Sequence, residues 1–416
     1  MYIFLEPAII GDILGNGYDF GLTIPKYEEV QKKYDKLFKT GIEINPRVRE
    51  IFTDDTVMTV AVGKALSQTF DKPAEEIKLC LRYNMQMFGR SHITAGYGTL
   101  FSNWLISQKP EPYESIGNGS AMRVSSVGWL ANNLNEVDIY ARLTAEVTHN
   151  SEQGIKGAQA IASAIFLARN GSKKETIKKY IEKEYGYDLS KSVEEYRSAD
   201  IMKRDALCET AVVQAMAAFL EGESFEDAVI KAVTIGGDTD TIAAITGSIA
   251  EAYYGIDEKA KELVLTYLPD DLKRGITDYT YIVMYRRNER KKAYDKMFND
   301  LKYFKERIKE DTGRPVPMFM FNQPEMSEEV ERLINTAHLP EITDKAYIDT
   351  LDLHNIEMDS DLYREKAEES GAYLLRAMLT SIVRQEIFNP GAVDKCVDDG
   401  TVYVLLNEMK KKNVYR

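Results

Sequence analysis

The chain has 416 residues, with 53 Lys+Arg against 66 Asp+Glu for a formal charge of −13, and is 44% hydrophobic and 29% charged. That balance excludes wholesale disorder, and the acidic excess argues against a broad basic surface for nucleic acid. Three Cys with no CxxC pair and only four His exclude a disulfide scaffold and a thiolate zinc site, so any metal chemistry must use oxygen ligands.

At ~150 residues per domain, the length predicts two or three domains, or one large domain with an attachment. The amino terminus has no basic leader ahead of its apolar residues and meets Glu6 and Asp12 early, unlike a signal peptide. No apolar run reaches the ~18 residues of a spanning helix, so a cytoplasmic protein with no membrane partner is expected.

Most of residues 1–285 read as helix. Thr53-Asp54-Asp55-Thr56 precedes the helical run Ala61–Leu66, and Ile155–Ala168 carries small and apolar residues on nearly every side, as a core helix does. Ala211–Leu220 continues toward Gly222 as a carboxyl-terminal stop. Ser224 is placed to cap a helix through Val233, with Asp227 three positions on where a capping box prefers Glu or Gln. Alternating Val/Ile/Thr runs are scarce, so the fold class is all-α. Residues 286–311, opening with Arg286–Lys292, read as a charged, solvated connecting helix. Thr312–Pro317 breaks regular structure. Residues 312–416 then form a small, mainly helical module, with helical pattern at Tyr373–Val383 and Val402–Leu406. Its role is left open between recruiting a target, oligomerisation and covering a cleft.

Two acidic clusters carry the chemistry. Thr53-Asp54-Asp55-Thr56 and Gly236-Gly237-Asp238-Thr239-Asp240-Thr241 each stand where an apolar helix begins. One such cluster is explained by helix capping, since Asp and Thr are common caps and carboxylates favour the helix dipole there. Two clusters, each with two carboxylates and several hydroxyls, exceed what caps need. Buried carboxylates without partners are costly, and a cation resolves that cost. Oxygen-only ligands suit Mg²⁺ or Mn²⁺. Gly236-Gly237 permits the backbone a tight approach, and a carboxylate shared between the clusters would hold two ions ~3.5–4 Å apart.

A third segment, Gly117-Asn118-Gly119-Ser120-Ala121-Met122-Arg123, offers small residues and a hydroxyl at a turn, where backbone N–H groups can meet an anion. By itself it is more often just a turn. The nucleotide motifs of kinases and dehydrogenases are absent, as is the GxSxG elbow of serine hydrolases.

Taken in order, Gly11-Asp12-Ile13-Leu14-Gly15, Thr53–Met58, Gly96-Tyr97-Gly98, Gly117–Arg123, Thr148-His149-Asn150 and Gly236–Thr241 closely resemble the ADP-ribosylglycohydrolase family. The resemblance spans about residues 6–285. It implies a compact orthogonal multi-helix domain over 1–285 with a dinuclear Mg²⁺ or Mn²⁺ centre. It also implies hydrolysis of the bond joining ADP-ribose to an acceptor, with an ADP-ribosylated protein as the first candidate substrate. Nucleic acid enters only as a modified substrate, and the oligomeric state is unassigned.

By that resemblance Thr53, Asp54 and Asp55 bind metal from one side, and Asp238, Asp240 and Thr241 from the other. Gly117, Asn118, Gly119, Ser120 and Met122 form the pyrophosphate cradle. His149 lies near the bound ADP-ribose, and Gly96, Tyr97 and Gly98 line the substrate. Two positions depart from the family pattern: Asp19 stands where many members carry a Glu over the metals, and Ser151 where many bacterial members carry a second His. Asp54 and Asp55 are expected to bind metal and handle the proton of an attacking water, with Asp19 a candidate for leaving-group assistance. Two rivals stay open: a hydrolase of another ADP-ribose conjugate (nucleotide or nucleic acid), and a non-catalytic ADP-ribose binder.

Overall fold

The computed structural model describes residues 4–42, 51–198, 205–308 and 326–414. They form helices throughout. Among the described residues there is no strand, only an isolated antiparallel bridge between Gly117 and Leu207. By its contacts the chain divides into two compact units, Met1–Arg169 with Lys173–Met284, and Asn170–Ser172 with Tyr285–Arg416.

The first unit is organised by a few helices: α1 (Glu6–Gly15), α2 (Asp54–Thr69), α3 (Glu152–Arg169), α4 (Cys208–Glu221), α5 (Phe225–Ile235) and α6 (Thr239–Tyr254). Helix α6 is the axis. Every residue from Thr239 to Glu251 is buried, as expected of a helix apolar on all sides, and α1, α3, α4 and α5 all pack on it.

The α1–α6 contact is the most extensive and depends on glycine. A Cβ at Gly11 would stand 2.1 Å from the Ala243 carbonyl oxygen, and one at Gly15 2.4 Å from that of Thr239. The two glycines, four apart on one helix face, let the backbones touch. That approach sets the start of α6, and with it Asp238 and Asp240, against the end of α1.

Local signals behave as the sequence suggests. Thr53 caps α2 by accepting the Asp55 N–H at 3.3 Å, and Ser224 caps α5 by accepting the Asp227 N–H at 3.1 Å. Gly222 ends α4 with extended backbone (φ −64°, ψ 144°) rather than a left-handed cap. A Cβ there would lie 2.6 Å from the Ala228 Cβ, so the glycine serves close packing. No helix among the described residues is long and apolar enough to cross a membrane.

Helix α7 (Asp270–Asn299) contributes to both units. Within the second unit, Tyr294, Met297, Phe298 and Phe304 are buried in one apolar core. Helices α8 (Ala372–Gln385) and α9 (Thr401–Lys411) add Leu375, Met378, Leu379, Ile382, Leu405, Leu406 and Met409 to it. Where the sequence suggests a solvated connecting helix over 286–311, the described residues 286–308 bury Ala293, Tyr294, Met297, Phe298 and Phe304 at helical spacing, and Arg290 with them. The break expected at Thr312–Pro317 lies outside the described residues.

Candidate active site

Both acidic clusters and the Gly117–Arg123 segment open onto one cavity of about 810 Å³ in the first unit, within the ~300–1,000 Å³ usual for small-molecule sites. Thr53, Asp54, Asp55, Asp238, Asp240 and Thr241 line it on the acidic side. Of the other residues expected from sequence, Gly96, Gly98, Gly117, Asn118, Gly119, Met122, His149 and Asp19 also line it. Tyr97 and Ser120 do not line it.

Ser120 is fully buried, and its hydroxyl donates to the Gly154 carbonyl at 2.7 Å. Its side chain therefore ties the turn to α3. Tyr97 turns its ring toward Phe101, with centroids 5.4 Å apart.

The acidic side is built by reciprocal bonds between segments distant in sequence. Thr241 Oγ1 donates to Asp55 Oδ2 at 2.9 Å, joining the start of α6 to the start of α2. Asn118 Nδ2 donates to Asp238 Oδ2 at 2.7 Å, joining the Gly117–Arg123 turn to the second cluster. Gly236 and Gly237 take φ of +75° and +86°, a region open to glycine, and turn the chain from α5 into α6. Gly96 is also left-handed (φ +103°), and a Cβ there would face Asp54 Oδ1 at 3.8 Å.

Asp19 reaches this assembly as a cap. Its Oδ1 accepts the Thr239 hydroxyl at 2.6 Å and the Asp240 N–H at 3.1 Å, while Oδ2 accepts the Gly17 N–H at 3.2 Å. Asp238, at the N-cap position of α6, makes no side-chain cap bond. Asp19 therefore supplies the missing cap from another segment through Oδ1, while Oδ2 holds its own loop at Gly17.

Electrostatically the site is under strain without a counter-charge. Burial and the nearby Asp12 and Asp238 push the Asp54 carboxyl up to about 7. Asp55 and Asp240 are held well above the usual carboxylate range by burial and by neighbouring carboxylates, and Asp238 is raised chiefly by burial. Asp55 is 2% exposed, and its Oδ1 has no hydrogen-bond partner. A buried carboxylate oxygen without a donor is what a cation would satisfy. The oxygen-only donor set fits Mg²⁺ or Mn²⁺, although among the described residues no three Asp, Glu, His or Cys side chains form a ready cation cage.

Arg123, also lining the cavity, is fully buried, and burial lowers its guanidinium to about 10, still charged at neutral pH. Burial and Arg123 hold the His149 imidazole well below its ordinary value, so it is neutral. Sequence reasoning assigned no role to Asp12, Arg123 or Tyr113. Asp12 and Arg123 lie inside motif blocks, where a lone charge among apolar residues was the available signal. Tyr113, which lines the cavity, had none.

Comparisons with known proteins place the chain in a family. A family model described as ADP-ribosylglycohydrolase matches residues 8–293, a span containing all six motif blocks. Human ADP-ribosylhydrolase ARH3 is 26% identical over 314 residues, covering 61% of this chain and 85% of that protein. The ADP-ribosylarginine hydrolase Tri1 of Pseudomonas putida is 26% identical over 154 residues, covering 36% of this chain and 42% of its own. A solved ADP-ribosylglycohydrolase-related protein complex shares the fold with a TM-score of 0.50 at 23% identity, covering 67% of this chain and 96% of its own. With the family match running through every block that builds the cavity, this chain belongs to the ADP-ribosylglycohydrolase family and is an enzyme of that family.

Proposed function

We propose that the chain hydrolyses the glycosidic bond between ADP-ribose and an acceptor, an ADP-ribosylated protein in the first instance, with two Mg²⁺ or Mn²⁺ ions at the acidic side of the cavity. The observation that carries the reading is the orphaned Asp55 Oδ1 among carboxylates that meet across α2 and α6. Relatives named as hydrolases of ADP-ribose conjugates support the substrate class.

Thr53, Asp54, Asp55, Asp238, Asp240 and Thr241 would hold the ions. When bound, such ions supply positive charge that orients ribose hydroxyls and acidifies water. The protein's own groups do the rest. The Gly117–Gly119 turn and the neutral His149 edge receive the pyrophosphate, and Asn118 keeps Asp238 in place. Asp54, part-exposed to the cavity, takes the proton from water attacking the anomeric carbon as the bond to the acceptor breaks, and that proton then passes to the departing acceptor. Asp55, buried and held by Thr241, is suited to a ligand role. Cleavage passes through an oxocarbenium-like transition state, which the surrounding carboxylates favour by charge.

The test is a panel of Arg-, Ser- and nucleic-acid-linked ADP-ribose, each assayed with Mg²⁺ or Mn²⁺ and then with chelator. Turnover is expected to vanish on chelation and to fall ~100-fold or more in Asp54→Ala. Release that persists in chelator would overturn the metal reading. Tight ADP-ribose binding with no turnover of any conjugate would make the protein a binder.

A further inference from the structure

His149 has two different edges. Nδ1 lies 2.7 Å from Thr148 Oγ1. Nε2 faces the turn that lines the cavity: a Cβ at Gly119 would stand 3.0 Å from it, and one at Gly117 3.9 Å. No hydrogen bond engages Nε2 among the described residues, whereas Nδ1 is fully committed.

The proton on the Nδ1 side follows from what stands behind Thr148. Arg123 Nη2 donates to Thr148 Oγ1 at 2.7 Å and to the Thr144 carbonyl at 3.1 Å. A guanidinium can only donate, so Thr148 spends one lone pair on Arg123. Its hydroxyl has a single proton, and Thr148 is 0% exposed. Among the described residues, the one acceptor bonded to that hydroxyl is His149 Nδ1. In the other arrangement, with the proton on Nδ1, Thr148 would accept twice and bury its own proton against nothing. Leaving a buried donor unpaired is the costlier choice.

We infer that Thr148, seated by Arg123, is a positioning residue that locks His149 as its Nε2–H tautomer, so the Gly117–Gly119 end of the cavity presents a neutral donor selecting a phosphoryl oxygen. This deepens the ADP-ribose reading and rests on it for the identity of the ligand. The lock accounts for Thr at the position before His149, which the motif left unexplained. It also separates His149 from acid–base work: with Nδ1 occupied and the ring neutral, the imidazole offers the cavity a fixed N–H and no lone pair. A phosphoryl oxygen accepts from that N–H, whereas the opposite tautomer would turn a nitrogen lone pair toward it.

The lock can be read without turnover. The chain has four His, so long-range ¹H–¹⁵N spectra of the ¹⁵N-labelled full-length protein at neutral pH resolve each imidazole. Wild type is expected to show His149 with a protonated Nε2 and a bare Nδ1, and ADP-ribose is expected to move the Nε2 resonance. Thr148→Val should mix the two tautomers and weaken ADP-ribose binding about tenfold, and Thr148→Ser should restore both. A proton on Nδ1 in wild type overturns the lock whether or not any variant folds, as does a Thr148→Val spectrum and affinity unchanged from wild type. ADP-ribose that binds without moving Nε2 overturns the contact. A protein that binds no ADP-ribose yet carries its proton on Nε2 overturns the functional reading and leaves the lock standing.

Discussion

Asp12 grips Thr53 twice, taking its backbone N–H on Oδ2 at 2.9 Å and its hydroxyl on Oδ1 at 2.9 Å. The same carboxylate accepts the Thr56 N–H at 3.1 Å and the Thr56 hydroxyl. A fully buried acid in α1 thus holds the first turn of α2, the turn that carries Asp54 and Asp55. Burial pushes Asp12 up to about 6, against the opposing pull of these four donors. In Asp12→Asn one oxygen becomes an NH₂ that faces donors. Turnover should fall ~100-fold and stability by about 2–4 kcal/mol, measured by steady-state kinetics and urea unfolding. Wild-type kcat in this variant would mean that the acidic turn needs no such anchor.

Gly11 tests the packing that brings the clusters together. Its missing Cβ would collide with backbone atoms of Ala243 and Ala244, which cannot rotate away as a side chain can. Gly11→Ala should cost about 3 kcal/mol and lower activity by displacing Asp240. Gly98→Ala is the control: φ is −61° and nothing lies within 4 Å of the added Cβ, so thermal stability should be unchanged. Equal melting temperatures for Gly11→Ala and wild type would remove the close approach of α1 to α6 as the reason for the motif.

What could be read from sequence was local. The Thr53 and Ser224 caps, the Gly236-Gly237 turn and the core character of Ile155–Ala168 each follow from residues within a few positions of one another, and the structure contains all of them. What was missed depends on partners far along the chain. Asp12 meets Thr53 across 41 positions, and Asn118 meets Asp238 across 120. The Ser120 hydroxyl also binds the Gly154 carbonyl, 34 positions on, a contact that no local pattern signals. Asp19, a candidate for leaving-group assistance in sequence, also caps α6 through Thr239 and Asp240, more than 200 positions away. In 286–311 the density of charge masked the apolar set Tyr294, Met297, Phe298 and Phe304.

Asp55 should behave oppositely with and without cations. In the chelated protein its carboxyl is crowded by burial and by Asp12, Asp54 and Asp238. Asp55→Asn should therefore raise the melting temperature in chelator, because it removes one repelling group. Added Mn²⁺ or Mg²⁺ should raise the wild-type melting temperature as a ligand of the native state does, and should do so much less in the variant. Scanning fluorimetry of both proteins across a cation titration reads this directly. A wild-type melting curve indifferent to both cations would leave the strained cluster without its proposed occupant.

Glu6 carries a pH dependence away from the cavity lining. It is fully buried in α1 with Oε1 unpartnered, and burial, reinforced by Glu251, pushes its carboxyl up to about 8, opposed in part by Lys261. Lys261 pairs with Glu251 at 3.3 Å, so its charge is largely spent there. Below the unfolded value of about 4.5 both states hold the proton and Glu6 is neutral to stability. Between about 4.5 and 8 the unfolded chain gives up the proton while the folded chain keeps it, so stability falls as pH rises. Above 8 the folded state bears the full cost of a buried carboxylate. Glu6→Gln removes that slope. Its advantage over wild type should be near zero at pH 5 and grow to about 2–4 kcal/mol by pH 8.5, measured as the difference between paired urea titrations at each pH. An advantage that stayed constant from pH 5 to 8.5 would mean that Glu6 is ionised in the fold throughout, with a counter-charge supplied from elsewhere.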